Sequence, residues 1–285
     1  MTLIWGTTWY VIRDQLNVVP VAWSVTYRFA LSGLVMLVVA RLTAQRLMLA
    51  PAEWCFVALF GLAQFVFNFD LVYQAERHIA SGLVAVVFAT LFVPNALLAR
   101  MFLGQKTSGR FLVGSVLAVG GIALLFVNEL QRDPAGRSET LLGIVLTLLA
   151  VSCASTANVM QGSKRAGKLP MATMLGWGML FGATMDAIFA WTVSGPPVFE
   201  YRWGYVLGLG YLSVIASALA FTLYFTLIRT IGAARASYSS TIIPVIAMLI
   251  STFAEDYRWT GLAVAGAVLA MIGTFTALSA AKPST

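Results

Sequence analysis

Charge is what this sequence has least of. Only 10% of its 285 residues are Asp, Glu, Lys or Arg, while 60% are hydrophobic. A soluble domain carries about 25% charged residues. So few charges cannot build a water-facing surface for a chain this long, and a mean hydropathy of +0.86 points the same way. Lipid must solvate most of the surface. The expected fold class is all-α, a polytopic membrane protein.

Other scarcities exclude classes of function. The two cysteines, Cys55 and Cys153, both sit in apolar runs, so they read as small buried hydrophobes and not as a disulfide framework. One histidine, His78, and two separated thiols cannot furnish a zinc site. The sequence has no P-loop, so ATP hydrolysis is not encoded. Nor does it carry the clustered nucleophile and base, or the acidic metal motif, of an intramembrane enzyme. A channel would need a polar pore in place of one occluded cavity. No metal and no cofactor is expected. No cleavable signal peptide is visible. The net charge of +7 could suit nucleic acid. The basic residues, however, lie in short loops between apolar runs, where they report topology.

What the chain does have is apolar runs, broken by charged or Pro/Gly-rich stretches. They predict ten helices near 2–16, 20–42, 51–75, 79–102, 107–128, 140–163, 169–193, 203–228, 232–254 and 259–280. The break around Arg77 and His78 is very short. The first run, Thr2 to Leu16, gives about 22 Å of helix against a ~30 Å hydrocarbon core. The expectation is a native chain that begins upstream of Met1. On the side of the termini and the even-to-odd loops lie eleven Lys and Arg, on the other side six, and Arg28 is inside a span. The acids run the opposite way. The positive-inside rule then predicts both termini in the cytoplasm.

The chain also repeats itself. Gln74–Ile79 answers Thr226–Ile231, Pro94 answers Pro244, Gln105 answers Glu255, and Gly114 and Gly121 answer Gly266 and Gly273, all at an offset of about 150. A unit of five spans makes the second copy enter the membrane upside down. The expected domains are a first repeat over 1–128, a connecting loop over 129–139 and a second repeat over 140–285. In transporters built this way the solute site lies near the midplane between the repeats, and access alternates by rocking of one bundle against the other.

Trp5-Gly6-Thr7-Thr8-Trp9, Arg28-Phe29, the mid-helix Pro94 and Pro244, and Glu255 followed by Gly266 and Gly273 together resemble the drug/metabolite transporter superfamily, EamA type. Gly104-Gln105-Lys106-Thr107 is similar to bacterial amino-acid exporters of the YddG type, although Gln105 departs from the usual glutamate of the first repeat. The resemblance implies ten helices, a central cavity and export of amino acids or related metabolites from a bacterial cell across its cytoplasmic membrane. The partners it implies are a small-molecule solute and the bilayer, and a monomer is compatible with that plan.

Three residue classes predict the site. Charges within spans cost about 2.5 kcal/mol or more at mid-bilayer; here they are Arg28, Asp70 and Asp186. Arg28 and Asp70 both fall in the outer half by depth, where they can pair as a gate or strut, or face a water-filled vestibule. A proton relay through Asp70 or Asp186 is a further reading. Amides and hydroxyls must turn inward, as cavity lining or as interhelical hydrogen bonds: Gln64 and Asn68, Ser155 and Asn158, and Tyr238 with Ser239. Aromatics are the third class. Trp5 and Trp9 lie four apart on the first helix, Trp177 in the inner half of the seventh and Tyr224 near the outer end of the eighth, as cavity walls, as packing or as interface residues. Pro94 and Pro244 each free a backbone carbonyl in mid-span and predict bends that serve as hinges.

Overall fold

In lipid a peptide group finds no water to bond, so a crossing segment must close its own hydrogen bonds. The computed structural model describes residues 1–16, 18–105, 108–132, 137–236, 243–254 and 259–279. Among them there is helix and no strand. In chain order the main helices are α1 (Thr2–Asp14), α2 (Val21–Leu42), α3 (Pro51–Ala75), α4 (Ser81–Leu103), α5 (Gly109–Arg132), α6 (Arg137–Gln161), α7 (Met171–Ser194), α8 (Trp203–Ile231), α9 (Ile243–Ala254) and α10 (Gly261–Ser279). Seven of them, α2 to α8, are long and apolar enough to cross a membrane. The molecule is a polytopic helical membrane protein. Leu34, Val38, Val116 and Phe253 are exposed, whereas Ser24, Ser32, Asn95, Thr147 and Ser213 are buried. That inverted polarity suits lipid as the solvent.

Proline opens several helices where its missing N–H costs nothing. Pro20 and Pro170 immediately precede α2 and α7, and Pro51 is the first residue of α3. Glu53 receives the Ala50 N–H at 2.7 Å and faces Arg46, which closes the start of α3. The connection expected over 129–139 is shorter in the structure. Helix α5 continues to Arg132 and α6 begins at Arg137, with 133–136 outside the described residues. The polar residues that end the apolar run do not end the helix.

Three helices are irregular. Helix α3 widens to a π-helix over Leu62–Phe67, and α8 does so over Tyr211–Leu219. Helix α4 tightens to a 3-10 turn over Ala89–Leu91 just before Pro94. Pro94 has no N–H for the Thr90 carbonyl, and its ring crowds that carbonyl. Departures of this kind gather at functional sites.

The tightest helix contact is between α5 and α10. A Cβ on Gly114 would strike the Ala277 backbone, one on Gly121 the backbones of Gly266 and Ala270, and one on Gly273 the backbone of Ala118. Four glycines therefore form one seam where backbones touch. Helices α2 and α7 meet more loosely, with Gly33 against Leu180 and Gly176 against Leu37. Gly121→Val is expected to cost about 1–3 kcal/mol through overpacking and to lower the melting temperature in detergent by several degrees. Gly120→Val is the control, because nothing lies closer than Leu269 at 4.0 Å. Equal melting curves for the two variants would refute the seam.

Candidate functional site

Polar side chains carried into lipid must find partners or a cavity. Here α1, α3, α4, α6 and α8 enclose a cavity of about 730 Å³, a volume that includes the open space at its mouth, with single contributions from α2 and α9. Among the lining residues given by the structure none comes from α5, α7 or α10.

Its walls are aromatic. Trp5 stands edge-on to Tyr224 at 5.0 Å and to Phe221 at 5.4 Å, and Trp9 packs against Phe88 at 5.2 Å. The Trp5 indole N–H donates to the Ala216 carbonyl at 3.1 Å, within the π-helical stretch of α8. A widened turn offers carbonyls that an α-helix would use itself.

The polar part is small and has one charge. Gln64 and Asn68, four residues apart on α3, both line the cavity and are buried. The Asn68 amide donates to the Gln64 carbonyl at 3.3 Å, but the buried side-chain oxygens of both residues receive no hydrogen bond among the described residues. The buried Trp9 indole N–H is also unpartnered. Asn158 on α6 lines the cavity and donates to Asn95 Oδ1 at 3.4 Å. Arg28 is the charged lining residue, 1% exposed. Its Nε donates to Ser217 Oγ at 2.9 Å and its Nη1 to the Tyr73 hydroxyl at 3.4 Å, and the guanidinium lies 4.5 Å from the Phe69 ring centre. Two of its five donors are thus used among the described residues.

Sequence and structure differ at several positions. Arg28 lines the cavity but does not pair with Asp70. Asp70 lies on the other side of α3 from Asn68, against Asp186 of α7. Depth placed Arg28 and Asp70 at one level, but two residues of helix turn Asp70 about 200° from Asn68. Trp177 is not in the cavity. Its indole donates to the Leu47 carbonyl at 2.8 Å and its ring packs on Trp54 at 5.0 Å, near the Arg46 end of the bundle. Ser155 is buried beside the lining residue Ala154 without lining the cavity. Tyr238 and Ser239, and the side chain of Pro244, lie outside the described residues. Phe69, Phe88 and Phe221 were not anticipated. Phe221 had a usable signal, being three residues before Tyr224 and so on the same face.

Polar contacts tie neighbouring segments together at the Asp14 end of the bundle. Arg13 donates to the carbonyls of Glu76 and Ile79 at 2.9 and 3.2 Å, and Arg202 reaches Asp14 at 2.9 Å and Glu200 at 2.7 Å. Asp14 and then Glu200 hold the Arg202 guanidinium even higher than its ordinary range, so it stays charged at any physiological pH. At the other end Arg229 of α8 donates to the Leu169 carbonyl at 2.9 Å and to Gln161 at 3.2 Å.

A family model for the EamA-like transporter family matches residues 1–127 and 141–279. The chain belongs to that family. It is similar to an inner membrane transporter named YedA, of uncharacterised function, from Escherichia coli K12, at 28% identity over 99% of this chain and 90% of the other. It is 24% identical to a protein of the same strain named a probable amino-acid metabolite efflux pump, over 96% and 91%. It is 22% identical to protein PagO of Salmonella typhimurium, over 98% and 91%. A crystal structure of a protein at 16% identity shares the fold, with a TM-score of 0.74 over 99% of this chain and 96% of the other. This EamA-like chain is a membrane transporter, which gives the cavity its setting.

Thiol labelling checks the lining. With Cys55 and Cys153 replaced, Asn68→Cys and Phe221→Cys are expected to react with a small polar thiol reagent. Phe65→Cys, buried between α3 and α7, should react on the order of tenfold more slowly. A fast Phe65→Cys would place the cavity elsewhere.

Proposed function

We propose that this EamA-like transporter is a secondary carrier that exports small organic solutes, amino acids above all and aromatic or hydrophobic neutral ones first. It works by alternating access through the cavity of Trp5, Trp9, Arg28, Gln64, Asn68, Asn158 and Tyr224, and it is not an enzyme. The observation that carries this reading is the pairing of a desolvated Arg28 guanidinium with the unpartnered oxygens of Gln64 and Asn68 inside aromatic walls. A guanidinium with free donors suits a carboxylate. Amide oxygens suit the ammonium of the same solute, and the rings suit an apolar or aromatic side chain. The same Arg28 disfavours a cationic drug, which would meet a like charge at low dielectric.

Several observations support the inverted-repeat plan behind alternating access. The family model matches two stretches of similar length. The two π-helical segments begin at Leu62 and Tyr211, at the offset of about 150 seen in the sequence repeat. The α5–α10 seam joins the last helix of each half through the glycines that the repeat relates. In this reading α1, α9 and α10 also cross, which gives ten spans. The domain bounds are 1–128 and 140–285, and both termini lie in the cytoplasm by the Lys/Arg bias. The membrane is the bacterial cytoplasmic membrane, which agrees with the name of the YedA relative.

Counterflow in proteoliposomes tests the assignment. Labelled aromatic or branched amino acids are expected to accumulate and to be competed by cold solute. The matching decarboxylated amines should compete at least about tenfold less well, a difference of 1.4 kcal/mol or more. Arg28→Gln should abolish accumulation. Equal competition by the amines would overturn the role given to Arg28, and no counterflow with any amino acid would overturn the solute class.

A further inference from the structure

Outside the cavity the spans hold one pair of ionisable groups that the proposed solute does not use. Helices α3 and α7 pack along a seam in which Gly61 meets the Gly178 backbone and Gly182 meets Phe65. One turn further toward the Asp14 end, Asp70 of α3 meets Asp186 of α7, carboxyl against carboxyl. Asp186 is wholly buried, and neither of its oxygens receives a hydrogen bond from a donor among the described residues. Oδ1 of Asp70 receives none either. Two ionised carboxylates offer acceptors only, and at contact distance in a low dielectric they cannot both stay charged. The donor in this contact is therefore a proton carried by one of the two acids. A metal ion is a poor alternative. It would need several oxygens, and no group of three or more His, Cys, Asp or Glu able to hold one occurs among the described residues.

We propose that Asp70 and Asp186 form a proton-binding site between α3 and α7, set apart from the solute cavity, and that its loading links solute movement to the proton gradient. The link to solute movement rests on the transport reading above; the proton site itself does not. The charged and titratable groups around the pair are few. Tyr73, one turn along α3, feels Asp70, Glu76 and Arg28 at once, and its hydroxyl accepts from Arg28 at 3.4 Å. Tyr205 of α8 lies within electrostatic reach of Tyr73, and α7 contributes Asp186. When the proton leaves, a negative charge develops in the seam. It repels its partner carboxylate across α3–α7 and attracts Arg28 through Tyr73, away from a solute carboxylate. When the proton returns, the two acids bond again and Arg28 is left to the solute. Proton binding and carboxylate binding thus reinforce each other, so proton and solute cross in the same direction, and export runs down the solute's own gradient and not on an inward proton gradient.

Two measurements test the two halves separately. The first is infrared spectroscopy of the purified full chain in lipid vesicles at neutral pH. The wild type is expected to show the carbonyl stretch of a protonated carboxylic acid, and Asp70→Asn and Asp186→Asn should each lose it. A wild-type spectrum without that band, or a band unchanged in both variants, overturns the proton site whatever the solute. The second measurement compares solute exchange with accumulation driven by an imposed pH gradient, using the amino acid found by counterflow. Asp186→Asn is expected to keep exchange and to lose the response to the gradient. The same response in wild type and variant overturns the coupling. Loss of exchange as well, in a variant that still melts like the wild type, also overturns it, because the pair would then belong to solute binding.

Discussion

A peptide group in hydrocarbon has no solvent to bond to, and the arrangement of this EamA-like transporter follows from that constraint. It makes every crossing segment a helix. It also decides what a helix can do next. Where the α-helical ladder is interrupted, as over Leu62–Phe67, Tyr211–Leu219 and Ala89–Leu91, the released carbonyls need new partners inside the protein. The Ala216 carbonyl takes the Trp5 indole, and the Ser213 carbonyl takes the Ser32 hydroxyl at 3.0 Å. The same constraint that builds the helices therefore gathers polar groups at their irregular turns, and Gln64 of α3 and Ala89 and Leu91 of α4 carry two of those turns to the cavity wall.

Arg28 shows the second consequence. A charge this deep costs several kcal/mol unless it is bonded and screened. Ser217, Tyr73 and the Phe69 face share that work, and no carboxylate does. Had Asp70 neutralised Arg28 in a direct pair, the cavity would hold no net charge and little reason to select a carboxylate. Instead the acid is turned toward α7, and Arg28 keeps donors free.

The sequence shows which elements exist much more clearly than which way their side chains point. Apolar runs mark the seven long helices α2 to α8 to within a few residues, because backbone burial in lipid leaves no other option. Gln64 and Asn68 were legible as a pair because four residues return a helix to the same face. Trp177 and Asp70 were misplaced because hydropathy reports depth in the bilayer and says nothing of rotation about the helix axis. Trp177 has a cavity-like depth and faces Leu47 and Trp54 instead. Phe88 carried no signal, since one phenylalanine in an apolar run fits packing, lipid and cavity equally well. The glycines at 114, 121, 266 and 273 were legible as a repeat. That they face one another across α5 and α10 needed coordinates.

The two charged sites meet at one side chain. Tyr73 is fully buried, accepts from Arg28 and donates to Gln15 Oε1 at 3.4 Å, at the α1 end where Arg13 and Arg202 also bond. Both Tyr73 bonds are long beside the 2.9 Å contacts of Arg28 with Ser217 and of Arg13 with the Glu76 carbonyl. Both lie beyond the ordinary range of hydrogen-bond lengths, so Tyr73 is the weakest link between Arg28 and the α1 end. Strong contacts on either side of Tyr73 hold Arg28 and the α1 end in place, and loss of the weak link would leave Arg28 the Ser217 hydroxyl that makes its burial tolerable.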